Sequence, residues 1–209
     1  MLHGEQTFEL HSSLPLGATV DATHRVSAVA DKGPGRGAVL YFETEIRDAA
    51  RGTPLATLRA ANFLRGDGGC GNFGDAPSPL PALSTEEPPD HCVHYPTQGQ
   101  AALLYRLASR DYMPIHDDPQ LARPAGFERP ISHGLNTFGL ACRAILKCIL
   151  PTEVHRMRTM AVRFVAPAFP GDTIRIELFK RREGVSFRAW AVERQTLVLD
   201  RGHCTLSER

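Results

Sequence analysis

Between residues 5 and 65 apolar and polar side chains alternate with a period of two. Phe8 and Leu10 alternate with Thr7 and Glu9; Leu40, Phe42 and Ile46 alternate with Tyr41, Glu43 and Glu45; Leu58, Ala60, Asn62 and Leu64 carry the pattern on after the turn at Arg51-Gly52-Thr53-Pro54. This spacing predicts antiparallel strands with one apolar face, and nothing within these residues supplies a helix to cover it. From Gly66 to Pro89 the chain turns rich in Gly, Pro, Ser and acid, which predicts a linker and not a packed unit. Val93 to Pro96 then reads as a short strand and Gln98 to Ser109 as a short helix. Asp118-Pro119 reads as a cap with Pro at the first helical position.

Beyond His133 the period changes. Leu135, Phe138, Cys142, Ile145 and Ile149 recur at spacings of three and four, Ala141 and Ala144 widen the stripe, and Pro151 stops it. Little besides Arg143 and Lys147 faces outward, so the pattern predicts a long core helix opening at Gly134. Strands resume through Met160, Val162 and Phe164, then Ile174 to Leu178, Val185 to Ala189, and Leu197 to Leu206. The expected class is α+β, one long helix gripped by a sheet. An imperfect internal repeat runs through it: Leu14-Pro15-Leu16-Gly17 before the early strands resembles Phe169-Pro170-Gly171 before the late ones. This suggests two helix-on-sheet units, of which the first keeps only its sheet.

Composition narrows the partners. Of 209 residues 42% are hydrophobic, and 24 Lys and Arg against 23 Asp and Glu leave a formal charge of +1, which gives no reason to expect nucleic acid or a charged membrane surface. Arg175, Lys180, Arg181 and Arg188, in the locally basic C-terminal third, read as a solvated sheet face in preference to a phosphate site. The five cysteines are odd in number and form no C-x-x-C pair, pointing to a reducing compartment without zinc or thiol redox work. No apolar run is long enough for a membrane span and no secretory leader is evident. The cytoplasm is the expected location.

The chemistry concentrates between Asp111 and Gly134. A carboxylate, Asp111, and an imidazole, His116, flank Pro114, which forbids a regular helix between them. Gly134 opens the long helix, so its backbone N–H has no intrahelical partner and is available to an anion. A base, an acid partner and an anion-binding donor are thus expected to converge. Asp117 and Asp118 with His116 and His133 make an alternative metal set, but Asp118 is better used as a helix cap, and no metal is expected.

These residues resemble a known family. Tyr105-Arg106-Leu107, Asp111-x-x-Pro114-x-His116-x-Asp118-Pro119, Ala125-Gly126-Phe127 and Pro130-Ile131-x-His133-Gly134-Leu135 are similar to the signature of the MaoC-like dehydratases, especially the type 2, (R)-specific enoyl-CoA hydratases. Arg163-Phe164-x-x-Pro167-x-x-Pro170-Gly171-Asp172 resembles the family's downstream strand and turn, and Leu2-His3-Gly4-Glu5-Gln6 with the Gly-rich stretch resembles part of the first domain of its two-domain members. The resemblance implies the hot dog fold: a complete hot dog over residues 91–209, a linker at 66–90, and a partial, sheet-only hot dog at 1–65. The first unit's leading strand and central helix would precede Met1, and its bare sheet implies self-association or poor solubility.

By the same resemblance Asp111 and His116 activate a water for addition to a trans-2-enoyl thioester, Gly134 binds the thioester oxygen, and Met113, Ile131 and His133 line the substrate pocket. Glycine at 134 leaves room for the thioester to approach. An acyl-CoA substrate, a homodimer and no cofactor are implied. Two departures stand out. Where the family usually has Asn two residues after its catalytic Asp, this chain has Met113; where it reads Ser-Gly-Asp, this chain reads Ser109-Arg110-Asp111, with one additional residue after Tyr105. The first keeps open a non-catalytic acyl-thioester-binding or assembly subunit, and a hot dog thioesterase shares fold and ligand.

Overall fold

A computed structural model describes residues 1–84 and 87–208; the linker expected at 66–90 therefore falls partly outside the described residues. Nine strands form one antiparallel sheet: β1 (Leu2–Leu10), β2 (Val20–Asp31), β3 (Ala38–Asp48), β4 (Pro54–Leu64), β5 (His91–Pro96), β6 (Met157–Phe164), β7 (Thr173–Arg181), β8 (Gly184–Ala191) and β9 (Thr196–Leu206). Three helices lie between β5 and β6: α1 (Ala101–Ser109), the one-turn α2 (Pro119–Ala122) and α3 (Gly134–Cys148).

The strand order is β2-β3-β4-β1-β6-β9-β8-β7-β5. Outward from the central β1–β6 pair, both halves run in the same sequence: β1-β4-β3-β2 on one side and β6-β9-β8-β7 on the other. The internal repeat is therefore a repeat of topology. The seam pairs Gln6 with Val162 and Phe8 with Met160, so the alternation of β1 continues in register into the core face of β6.

The core belongs to the second half. Phe187, Ile145, Leu150, Met160, Ile174, Ile176, Leu178 and Leu199 are among the largest fully buried side chains. The α3 stripe of Phe138, Ala141, Ala144 and Ile145 packs into them, over β5, β6, β7 and β8, and Phe8 of β1 joins edge-on to Phe138 at 6.1 Å. This helix wrapped by sheet is the hot dog arrangement. On the opposite face of the sheet Arg175 and Arg188 flank the buried Glu177 and stack on Trp190, so those basic residues are satisfied within the sheet.

In the first half the polar face carries a ladder of charges, Arg25 to Glu43 to Arg59 to Glu9, one pair per adjacent strand. Its apolar face has no comparable cover. Val20 and Val26 of β2 are 46% and 42% exposed, and the hydrophobic residues fully buried in this half are chiefly small, Ala28, Ala38, Ala56 and Ala61, with Leu55. The Gly-rich segment is less free than its composition suggests: the Asp31 carboxylate accepts hydrogen bonds from the N–H groups of Gly69 and Gly71, and Phe73 bridges Val29 on the β2 edge.

Candidate active site

The loop from Asp111 to Gly134 is anchored before it carries chemistry. Arg106 on α1 forms an ion pair with Asp117 at 2.8 Å and stacks over Tyr112. The Asp118 carboxylate caps α2 by accepting from the Gln120 N–H at 2.7 Å, as its position beside Pro119 implies. Asp117 and Asp118 are thereby committed to structure. At the end of α1 Arg110 adopts a left-handed conformation with φ 59°. Glycine is the residue that occupies such a position without strain.

Asp111, His116 and His133 come together, each offering a ligand-type atom within 4.8 Å of the others. His116, buried, donates its Nδ1–H to the Ile131 carbonyl at 2.8 Å, which fixes the tautomer and leaves Nε2 with a free lone pair. Ile131 holds that carbonyl in place by donating its own N–H to Ile115, so its backbone matters to the site as much as its side chain. Asp111 is half-exposed, and its Oδ1 accepts from the Met113 N–H at 3.1 Å. A carboxylate and an imidazole nitrogen this far apart can share one water, each at hydrogen-bonding distance.

His133 is 2% exposed. Its ring stacks on His116 with centroids 3.7 Å apart and planes 21° apart, and burial, followed by the neighbouring His116, holds its pKa below the usual imidazole value. Near-parallel rings direct their in-plane lone pairs side by side, not at one point. Together with the commitment of His116 Nδ1, this disfavours a shared metal ion and favours proton transfer.

Gly134 begins α3, and His133 makes no side-chain cap there; the Asn136 N–H donates to the His133 carbonyl, which leaves the Gly134 N–H for a ligand. A further reason for glycine is visible in the fold: a Cβ at 134 would meet the Phe164 ring at 3.0–3.4 Å. A cavity of about 660 Å³ opens here, lined by Asp111, Met113, His116, Ile131, His133 and Gly134. It is closed from the first half by His3, Asn62, Phe63 and Arg65; His3 packs its ring on Phe164 at 4.7 Å, and burial lowers its pKa. The spacing of residues in the chain gives no sign that β1 and β4 wall this cavity, because the β1–β6 pairing that brings them there is non-local.

Comparison with known proteins bears on the family and the fold. Residues 82–201 match the MaoC like domain, and residues 1–66 match the MFE-2 hydratase 2 N-terminal domain. The chain is 36% identical over 207 residues to the protein named enoyl-CoA hydratase 2, peroxisomal, of Arabidopsis thaliana, covering 95% of this chain and 66% of that one. A MaoC-like dehydratase from Phytophthora Capsici superposes with a TM-score of 0.89 at 32% identity, over 100% of this chain and 72% of that structure. The full-length peroxisomal multifunctional enzyme type 2 of Drosophila melanogaster superposes with a TM-score of 0.88 at 36% identity, over 99% of this chain and 37% of that one. The chain thus spans about two thirds of the plant protein and a smaller part of the insect one.

Proposed function

The chain belongs to the MaoC-like family, and from that premise we propose that it is an (R)-specific enoyl-CoA hydratase, adding water reversibly to a trans-2-enoyl-CoA. The observation that carries the reading is the His116 tautomer: an imidazole locked through Nδ1 and presenting Nε2 to a cavity beside a carboxylate is a base ready to act. Water sits between Asp111 and His116. One of its O–H bonds breaks as the proton passes to His116, its oxygen bonds to C3, and the C2–C3 π electrons move toward the thioester oxygen, where the Gly134 N–H meets the developing charge. The enolate electrons then re-form the thioester carbonyl as C2 takes up the proton held by His116, which restores the neutral base and completes the (R)-3-hydroxyacyl thioester. One such backbone donor is worth about 3–4 kcal/mol of barrier, and the base about 10²–10⁴ in rate.

The cavity between the halves takes the acyl chain, with its far wall supplied by β1 and β4. Residues 91–209 act as the catalytic hot dog, and residues 1–65 as a sheet-only partner that shapes the pocket, joined through 66–90. The working state in this reading is a cytoplasmic homodimer without cofactor, although curated relatives include peroxisomal enzymes. A second reading, an acyl-thioester-binding subunit without turnover, is favoured by Met113, which has no amide to hold water or substrate.

The test is loss of the enoyl-thioester absorbance when the purified protein meets crotonyl-CoA or a medium-chain trans-2-enoyl-CoA. Turnover by the natural protein that falls at least ~100-fold in both Asp111→Ala and His116→Ala is the expected result. Turnover undiminished in both would remove these residues from the mechanism, and release of free CoA would mean thioester hydrolysis instead.

A further inference from the structure

We propose that His133 is the positioning residue of this site, a neutral imidazole plate that holds the His116 ring by its face and the Asp111 backbone by its edge. The proposal rests on the hydratase reading of Asp111 and His116.

Three observations meet on this ring. Its face lies 3.7 Å from that of His116, while Tyr105 from α1 packs against it at 4.7 Å. Its Nε2 lies 3.4 Å from the Asp111 carbonyl oxygen and 3.8 Å from Oδ2 of the same residue, so this side chain meets both proton-handling partners. Its Nδ1 is buried with no hydrogen-bond partner. With Nε2–H as the donor to Asp111, Nδ1 is left as a bare lone pair, and an unpartnered buried nitrogen is unfavourable. A phenyl ring would fill the same space without that cost. What a phenyl ring lacks is the edge N–H that ties Asp111 in place.

The neutral state matters as much as the geometry. When His116 takes the proton of water it becomes an imidazolium lying against the His133 face. A neutral ring does not oppose that cation, whereas a second imidazolium would repel it. Burial and the proximity of His116 both keep His133 neutral. One ring thus sets the position of the base and tethers its carboxylate partner without adding a second positive charge beside it.

His133→Phe keeps the plate and loses the tether; His133→Ala loses both. In the full chain with crotonyl-CoA, His133→Phe is expected to lower kcat about 10-fold and His133→Ala about 100-fold or more, with KM within about 3-fold of the parent. In parallel, ¹⁵N NMR of the imidazoles, which needs no turnover, should show His116 as a single Nδ1–H tautomer in the parent and in His133→Phe, and as a mixture in His133→Ala. Should His133→Ala fail to fold, the kcat loss with an unchanged tautomer in the better-filling Phe variant decides alone. Unchanged kcat in both variants, or a loss confined to KM with the His116 tautomer intact in both, would overturn the proposal. If the parent itself does not hydrate enoyl-CoA, the hydratase reading fails, and the tautomer of His116 still reports whether His133 positions it.

Discussion

The two halves of the sheet carry the same strand order and the same alternation of side chains, yet only one of them has a core. The second half adds α3 and β5 to the shared four-strand plan, and with them come the fully buried Ile176, Phe187, Ile145 and Leu150. The first half has the strands, the register and a charge ladder, but apart from Leu55 its larger apolar residues remain half-buried or exposed. Alternation is therefore sufficient to specify a pleated face and its pairing. It does not bury that face, which requires a second layer.

The largest expected contrast is in packing. Ile145→Ala, on α3 and fully buried, should destabilise by about 2–5 kcal/mol in urea unfolding. Ile46→Ala, at a half-buried position of β3, should cost about 1 kcal/mol or less, because little contact is lost. Equal costs would mean that the first sheet is covered as well as the second. Next comes the bare face itself. Phe42, stacked on His24, lies on the apolar side of β3, and Phe42→Glu should reduce self-association and binding of an apolar dye several-fold while hydration of crotonyl-CoA changes by less than ~2-fold. A parent that is monodisperse, monomeric and dye-free would contradict this.

A smaller effect probes strain beside the site. Arg110→Gly should raise stability by about 1 kcal/mol in the same unfolding assay, since the residue already has the backbone angle that glycine adopts freely. The smallest effect is the pH dependence of stability, and each half contributes one imidazole to it. Burial lowers the pKa of His3 and of His133 from the ordinary 6.5. Below 6.5 the unfolded chain binds a proton that the folded chain resists. Stability should therefore be full above 6.5 and fall as the pH drops from 6.5 toward the lowered values. Unfolding midpoints measured across that window should show a shallower slope in His3→Gln and in His133→Phe than in the parent.

Much of the second half was legible in the sequence because its signals are local. The three-and-four spacing from Leu135 to Ile149 marks α3, Asp118-Pro119 marks a cap, and Asp111, Pro114 and His116 mark a loop with chemistry. What was hidden depends on contacts distant in sequence. No pattern announces that Phe8 will pair with Met160 and so join two sheets into one. The stacking of His133 on His116 follows from loop anchoring by Arg106 and Ile131, and the close approach of Phe164 to Gly134 spans thirty residues of chain. The left-handed Arg110 was also invisible, because the residue type gives no sign of that conformation.

The most direct measurement is the initial rate of loss of enoyl-thioester absorbance by the natural protein beside Met113→Asn, with crotonyl-CoA and a medium-chain trans-2-enoyl-CoA. Turnover by the natural protein, with Met113→Asn changing the rate but not creating it, is the expected result. A silent natural protein, with activity appearing only in Met113→Asn, would contradict it and leave a pocket that kept its shape and lost its reaction.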